Sequence, residues 1–361
     1  MSANAVGVAA GDVANNGPHP ELRHHPVTDR SAWRNADMAD GRDWMFRFTQ
    51  AELAELDAAV LAHAGWPITA ISRASFAMPT LSARLLRIAR EVDHGRGCAL
   101  LRGFPVERYT EAQCRTALTG IGAHFGVLIS QNMYGEMLCS VRSNGRKLGE
   151  PGVRGYDTDS ELRFHNDECD VITLMCVQPA RSGGLSSMVS SACVYNTLLR
   201  DCPEHLDQLF EGYIFSLMGE ERPGVGPISD HRIPIFSLHA GRLSCRFTLN
   251  TIYQANKLTG IPLTIREQAA LDAVLATARR PELRIDFALE PGDIQFANNL
   301  STLHSRTAFV DHESPEQWRH LLRLWLRSHD PRPLAPEFEQ RFNDGWSFRR
   351  GIPPTRVREA A

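Results

Sequence analysis

The hydrophobic pattern divides the chain into a helical first third and a strand-rich remainder. A helix is predicted to begin at Thr49, because Thr49 and Glu52 have the spacing of a capping box and Gly65 follows as a C-cap. Its apolar stripe consists of Leu53, Leu56, Val60 and Leu61. The other elements predicted in this third are helices over 81–92 and 110–125 and a short buried strand from Cys98.

Short strand-like runs separated by turn residues dominate from about Leu162 onward. These runs cover 171–177, 186–190, 233–238, 243–247, 283–289, 294–297, 303–309 and 319–327. Helical inserts are predicted at 195–212 and 264–279. Many short strands with flanking helices predict a mainly β fold, a β-barrel or jelly roll with a helical wrap.

Three segments fall outside this pattern. Residues 1–22 are small and polar and are expected to form a flexible tail. The remainder, 23–361, is then one domain with a C-terminal extension over about 328–361. Residues 142–160 are rich in glycine, charge and hydroxyl groups, which favours either a mobile lid or a solvated surface loop.

Composition and charge narrow the class of protein. The 361 residues include 43% hydrophobic and 22% charged side chains, which is typical of a globular domain and excludes collagen, coiled coil and general disorder. The net charge of −3 offers no basic excess for binding nucleic acid. No apolar run reaches the roughly 20 residues that cross a bilayer. Eight scattered cysteines suggest reduced thiols and, with no signal-peptide pattern, predict a cytoplasmic protein.

The motif His-x-Asp occurs twice, and the predicted local structure separates the two copies. His205 and Asp207 lie in a helical segment, where residues two apart point in different directions and cannot hold one metal ion. His165 and Asp167 immediately precede a predicted strand, and in an extended segment they project to the same side. Their nitrogen and oxygen atoms can then occupy adjacent coordination positions of one ion.

A useful metal site needs a third ligand, and His304 is a candidate on a distant predicted strand. Two histidines and one carboxylate leave three coordination positions open on non-haem Fe(II). The alternative is that His304 is a structural histidine, because a lone histidine in a strand is more often structural than a metal ligand.

The last predicted strand carries an unusual face of arginines. Period-two alternation places Arg319, Arg323 and Arg327 on one face and mainly leucines on the other. A buried guanidinium requires an anionic partner, and its fork geometry suits a carboxylate. A surface edge strand is the alternative, although it accounts poorly for the tryptophans and leucines between the charges.

Four pieces of sequence occur in a recognisable order between about Leu100 and Arg327. They are Phe164-His-Asn-Asp167, Pro179-Ala-Arg-Ser-Gly-Gly-Leu-Ser186, Asn298-Asn299 followed by His304-Ser-Arg306-Thr-Ala-Phe309, and Arg319-His-Leu-Leu-Arg323. In this order and approximate spacing they resemble the taurine dioxygenase family, the clavaminate-synthase-like branch of the Fe(II)/2-oxoglutarate-dependent oxygenases. The resemblance spans most of the chain.

The resemblance implies a double-stranded β-helix, a jelly-roll or cupin-like core, with His165, Asp167 and His304 as iron ligands. It implies that Arg319 pairs with the distal carboxylate of 2-oxoglutarate and that the Ser186 hydroxyl contacts the same group. Fe(II), 2-oxoglutarate and O2 would be the cofactor and co-substrates. Asp167 is a carboxylate ligand that related halogenases lack, so halogenation is disfavoured.

The resemblance also implies a reaction, the hydroxylation of an aliphatic C–H bond with release of succinate and CO2, although desaturation, cyclisation and demethylation use the same iron site. Arg323 matches a position that can reach the co-substrate or an anionic substrate group. Together with Arg306 and Arg246 it points to a small carboxylate-bearing or amino-acid-like substrate. Other residues expected to border the cavity are Gln131, Asn132 and Tyr253. Relatives with this fold often self-associate, so a homo-oligomer is compatible with the resemblance.

Two alternatives stay open on the sequence alone. A metal-dependent oxygenase of the same fold could use the three ligands without 2-oxoglutarate, in which case Arg319→Ala would leave activity unchanged. A non-catalytic small-molecule-binding protein would fail to bind Fe(II).

Overall fold

The computed structural model describes residues 24–147 and 154–357, which form two facing β-sheets with helices on their outer surfaces. The helices are α1 (Asn35–Met38), α2 (Gln50–Ala62), α3 (Pro79–His94), α4 (Glu111–Gly122), α5 (Ser191–Asp201), α6 (Leu206–Glu211), α7 (Leu249–Thr259), α8 (Ile265–Ala278) and α9 (Pro336–Glu339). The strands are β1 (Met45–Arg47), β2 (Cys98–Arg102), β3 (Gly126–Ile129), β4 (Leu138–Val141), β5 (Leu162–His165), β6 (Val171–Gln178), β7 (Ser182–Gly183), β8 (Ser186–Ser190), β9 (Phe236–His239), β10 (Arg242–Cys245), β11 (Arg284–Phe287), β12 (Ile294–Asn298), β13 (Thr302–Arg306), β14 (Phe309–Val310) and β15 (His320–Ser328). The predicted tail at 1–22 lies outside the described residues.

The larger sheet has the strand order β1-β2-β12-β6-β15-β3, and β4 pairs with the same edge of β15 as β3 does. The smaller sheet has the order β11-β8-β13-β5. Neighbouring strands run antiparallel in both sheets, except for the parallel pair of β1 and β2. The two sheets form a double-stranded β-helix, which confirms the predicted jelly roll.

Alternating side chains on β15 supply two different cores. Leu322 and Leu324 pack under the helices that cover the larger sheet, while Leu321 and Trp325 belong to the core between the sheets. Arg323 lies midway between Leu321 and Trp325 at the same spacing of two, so the strand alternation turns its side chain toward the inter-sheet space. Arg327, which the sequence placed on this face, is exposed near the strand end.

The helices divide between the two sheets. α2, α3 and α4 cover the larger sheet, and α5 to α8 cover the smaller one. The capping box of Thr49 and Glu52 is confirmed, but the helix ends at Ala62 with His63 as its C-cap. Gly65 was wrong as the C-cap, because its positive φ of 77° serves the turn after the helix.

The runs at 243–247 and 283–289 form the shorter strands β10 and β11, and two other predicted strands change their pairing. The run at 233–238 is shortened to Phe236–His239, because Ile233 instead forms an isolated bridge with Tyr213. The run at 303–309 breaks after Arg306, and Phe309 pairs with Gly183 on β7 instead of continuing along β8.

The C-terminal extension folds back onto the sandwich. Leu334, Phe338 and Phe348 form a separate apolar cluster with Leu300. Farther along, the Thr355 amide donates to the Met133 carbonyl at 2.8 Å. This extension therefore covers the loop that follows β3.

The described cysteines and helices bear on two other expectations. All eight cysteines are free thiols, and seven of them are buried. Within 24–147 and 154–357, no helix has both the length and the apolar character needed to cross a membrane.

Candidate metal centre

His165 and His304 are paired residues on adjacent antiparallel strands. They lie opposite each other on β5 and β13, and their ring centroids are 4.4 Å apart. Asp167 follows β5 directly, and one ligand atom from each of the three residues lies within 4.8 Å of the other two. The structure thus brings together the three residues that the sequence selected.

The residue between His165 and Asp167 holds their loop in place. The Asn166 side-chain amide donates to the carbonyls of Asn299 and Thr302, at 2.6 and 2.7 Å. Asn299 in turn accepts the Asp167 amide at 3.1 Å through its side-chain oxygen. These bonds tie the first two ligands to the start of the strand that carries the third.

Hydrogen bonding and burial suit the two imidazoles to metal binding. His165 Nδ1 donates to the Arg163 carbonyl at 2.8 Å, which leaves Nε2, 4.0 Å from Asp167 Oδ1, as the atom that can bind a metal. Burial, reinforced by the neighbouring His165, lowers the pKa of His304 to about 3. A metal ligand must be unprotonated, and His304 is held in that form.

The Asp167 carboxylate is held as an anion. Burial opposes its ionisation, but the charge of Arg323, together with the Trp325 hydrogen bond, outweighs burial and keeps the pKa of Asp167 below its usual range. Its Oδ2 accepts a hydrogen bond from Trp325 Nε1 at 3.3 Å and lies 3.9 Å from Arg323 Nη1. Two imidazoles and one carboxylate fit a divalent iron ion.

Ser186 lies on β8, which pairs with the strand that carries His304, and Arg319 directly precedes β15. Arg319 is buried, with its guanidinium carbon 5.0 Å from the centre of the Phe309 ring. Its Nη1 has no hydrogen-bond partner among the described residues. Gly184 lies beside the guanidinium, since a Cβ built on it would be 3.4 Å from Arg319 Nε, an ordinary contact distance. An unpaired, buried guanidinium fits the carboxylate of a bound acid.

Arg306 lies in the same region and forms no ion pair with a carboxylate of the described residues, although Asp159 and Asp311 act on it from farther away. One of its nitrogens, Nη2, donates to the Thr158 carbonyl at 2.8 Å and to the Ser160 carbonyl. Burial, reinforced by the nearby Arg319, lowers the pKa of Arg306 to about 9.

Arg323 lies on the side of Asp167 that faces the segment 154–160. Its Nε donates to Gln131 Oε1 at 2.7 Å, and its guanidinium carbon lies 4.2 Å from the centre of the Tyr156 ring. Asn132 is next to Gln131, and its side-chain oxygen accepts two amides of the turn after β3.

Two further sequence candidates have aromatic or polar partners of their own. Arg246 lies between the rings of Phe338 and Phe348, at 5.1 and 4.6 Å from their centres. Tyr253 lies on α7 and accepts a hydrogen bond from Gln268 of α8 at 3.0 Å. Their part in substrate binding stays a prediction.

Sequence reasoning missed two ion pairs near the centre. Arg154 pairs with the buried Glu220. Arg341, from the C-terminal extension, pairs with Glu168, the residue after Asp167. The charged composition of 142–160 was a signal for Arg154, whereas nothing near Arg341 in sequence indicated this contact.

Comparisons with known proteins agree with this architecture. Residues 63–325 match the family model described as taurine catabolism dioxygenase TauD, TfdA family. FR-33289 synthase of Streptomyces rubellomurinus is 33% identical over 341 residues, which is 93% of this chain and 99% of that protein.

Two crystal structures share the fold. Asparagine oxygenase in complex with Fe(II), 2S,3S-3-hydroxyasparagine and succinate matches with a TM-score of 0.61 and 19% identity, over 79% of this chain and 93% of that one. The non-heme iron oxygenase OrfP in complex with Fe and α-ketoglutaric acid matches with a TM-score of 0.57 and 14% identity, over 79% and 94%. On the family match and the full-length relative, the chain belongs to the TauD/TfdA family of Fe(II)- and 2-oxoglutarate-dependent dioxygenases.

Proposed function

We propose that His165, Asp167 and His304 bind the catalytic Fe(II), and that the protein hydroxylates an aliphatic C–H bond of a small carboxylate-bearing or amino-acid-like substrate. The convergence of the three ligand atoms within 4.8 Å carries this proposal. When bound, Fe(II) supplies the activation of O2 that oxidises the C–H bond while 2-oxoglutarate becomes succinate and CO2.

The chain orients the co-substrate through its far end. Arg319 pairs with the distal carboxylate of 2-oxoglutarate, and the Ser186 hydroxyl donates to the same group. Support comes from the burial of both residues and from the unpartnered Arg319 Nη1 within the described part of the chain. The use of 2-oxoglutarate by the family argues against the two alternatives that the sequence left open.

Arg323 and Tyr156 form the wall on the substrate side. Arg323 is held by Gln131 and by the Asp167 charge, so its guanidinium is fixed before substrate arrives. It orients an anionic group of the substrate, and Asn132 stiffens the turn behind it. Tyr156 excludes water from the same side.

Three further proposals concern the whole chain. Residues 23–361 act as one domain. Within it, residues 142–160 act as a lid over the site, and Tyr156 belongs to the described part of this lid. The protein works in the cytoplasm, supported by its eight free thiols. Its oligomeric state, including a homo-oligomer, is open to measurement by light scattering.

The test is succinate release by purified protein with Fe(II), ascorbate and 2-oxoglutarate across a panel of amino acids, amines and sulfonates. At least one small carboxylate should stimulate succinate formation and gain one oxygen atom by mass spectrometry. Asp167→Ala should abolish the coupled reaction, with His205→Ala of the other His-x-Asp motif as control. Equal turnover in Asp167→Ala and wild type would contradict the proposal.

A further inference from the structure

Two buried arginines share one aromatic ring, and no carboxylate of the described residues forms an ion pair with either, although the more distant Asp311 acts on both. The guanidinium carbons of Arg306 and Arg319 lie 4.7 and 5.0 Å from the centre of the Phe309 ring. Arg306 Nε and Nη1 and Arg319 Nη1 have no hydrogen-bond partner among the described residues. Two buried cations repel each other and need an anion between them.

Strand register places Arg306 beside Ser186, and the shared Phe309 ring places Arg319 near Arg306. Ser186 is directly opposite Arg306 in the pairing of β8 with β13, so their side chains share one face of the smaller sheet. His304 lies two residues before Arg306 on that face, about 7 Å along the strand. A five-carbon diacid can therefore reach from the metal ligands to this arginine pair.

The third nitrogen of the Arg306 guanidinium, Nη2, donates hydrogen bonds to the carbonyls of Thr158 and Ser160. Thr158 is fully buried, and the Phe309 amide donates to the Asp159 carbonyl at 3.0 Å. This short segment, 154–160, also carries Tyr156 against Arg323. Arg306 thus connects the co-substrate end of the site to the substrate end.

We propose that Arg306 is a second guanidinium for the distal carboxylate of 2-oxoglutarate, and that filling this position stabilises 154–160 beside Arg323. Co-substrate binding then prepares the substrate wall. Arg306 is a co-substrate-binding and positioning residue in this proposal, instead of the substrate-binding residue that the sequence suggested. The inference rests on the proposed function.

Binding calorimetry on the Mn(II)-loaded protein tests the first half. The probes are 2-oxoglutarate and 2-oxopentanoate, which has a methyl group in place of the distal carboxylate. Wild type should prefer 2-oxoglutarate by about 100-fold or more, and Arg306→Gln should reduce that preference by about 10-fold. The exposed Arg327→Gln is the matched control and should leave the preference unchanged. Equal weakening of both probes by Arg306→Gln would overturn the inference.

Arg319→Gln separates this inference from the proposed function. If Arg319→Gln loses the preference and Arg306→Gln keeps it, only the second-arginine proposal fails. If wild type itself shows no preference, the proposed co-substrate site fails as well.

Hydrogen–deuterium exchange of wild-type protein tests the second half and does not depend on the folding of Arg306→Gln. Peptides over 154–160 should gain protection with Mn(II) and 2-oxoglutarate but not with 2-oxopentanoate, while α8 peptides stay unchanged. Arg306→Lys keeps the charge but cannot hold both carbonyls and a carboxylate, so it should lose this protection. Equal exchange of 154–160 with and without 2-oxoglutarate in wild type would overturn the coupling.

Discussion

Asn166 and Phe247 are joined by two hydrogen bonds that lock the ligand loop to the strand region after β10. The backbone amide of Asn166 donates to the Phe247 carbonyl at 3.0 Å. The backbone amide of Phe247 donates to the side-chain oxygen Oδ1 of Asn166 at 2.6 Å. With its two other side-chain bonds, Asn166 satisfies three backbone groups that are buried with it. The metal geometry therefore depends on a residue that binds no metal.

Asn166→Ala should weaken both the fold and the metal site. Three hydrogen bonds are lost and buried backbone groups are left unpaired, so the free energy of unfolding should fall by about 3 kcal/mol. The affinity for Fe(II) should fall about 10- to 100-fold, because residues behind the ligands orient them. Chemical denaturation and anaerobic Fe(II) titration measure these changes. The control is Asn343→Ala at an exposed position, which should leave stability and iron affinity unchanged. An Asn166→Ala protein with wild-type affinity for Fe(II) would contradict the positioning role of Asn166.

Ser186→Ala should affect 2-oxoglutarate selectively. Loss of one hydroxyl contact to the distal carboxylate should raise the KM for 2-oxoglutarate about five-fold, with little change in the KM for substrate. Ser187 points to the other face of β8, where its hydroxyl donates to Asp286 at 2.5 Å. Ser187→Ala should therefore leave both KM values unchanged. The same rise in both serine variants would argue against a specific contact.

Arg349→Ala should destabilise the C-terminal extension. Arg349 Nε lies 2.8 Å from Oδ1 of the buried Asp170, three residues after Asp167. Removing one member of a buried pair leaves an uncompensated charge, so we expect a loss of about 3 to 5 kcal/mol in unfolding free energy. The neighbouring, exposed Arg350→Ala should change stability by about 0.5 kcal/mol or less. Similar melting temperatures for the two variants would show that the extension contributes little.

Asp93 should give the protein a specific pH dependence. Burial raises the pKa of Asp93 to about 6 from its ordinary 3.8. The folded state therefore binds the Asp93 proton more tightly than the unfolded chain does. Above pH 6 the buried, ionised carboxylate destabilises the folded state fully. This destabilisation disappears as the pH falls toward 4, because the carboxyl becomes protonated.

Asp93→Asn removes this titration while an oxygen remains to accept the Ser328 hydroxyl. The variant should be more stable than wild type by about 2 to 3 kcal/mol at pH 7.5 and about equal to it at pH 4. Denaturation curves at both pH values measure the difference. A difference that stays constant between them would contradict the shifted pKa.

Sequence patterns predicted the strands more accurately than the loops. The run at 186–190 is β8 as predicted, and 171–177 matches β6 to within one residue, because buried strands bounded by turn residues have a clear pattern. The helix α7 at Leu249–Thr259 was missed. Its first residue directly follows a strand-like run, and its N-cap Thr248 makes no side-chain capping bond.

The site was predictable only where local pattern and family resemblance both applied. His165, Asp167 and His304 lie in such motifs, and the structure brings them together. Arg246 and Tyr253 were chosen by their approximate place in the fold, and their role in substrate binding stays a prediction. Their actual partners, the C-terminal rings and a residue on α8, are set by long-range packing.

Anomalous diffraction at the iron edge, from crystals grown anaerobically with Fe(II), tests the central claim most directly. The account predicts one strong peak per chain, in contact with His165 Nε2, His304 Nε2 and the Asp167 carboxylate, and its loss in His304→Ala. A peak bound by other residues, or no peak at saturating Fe(II), would contradict it.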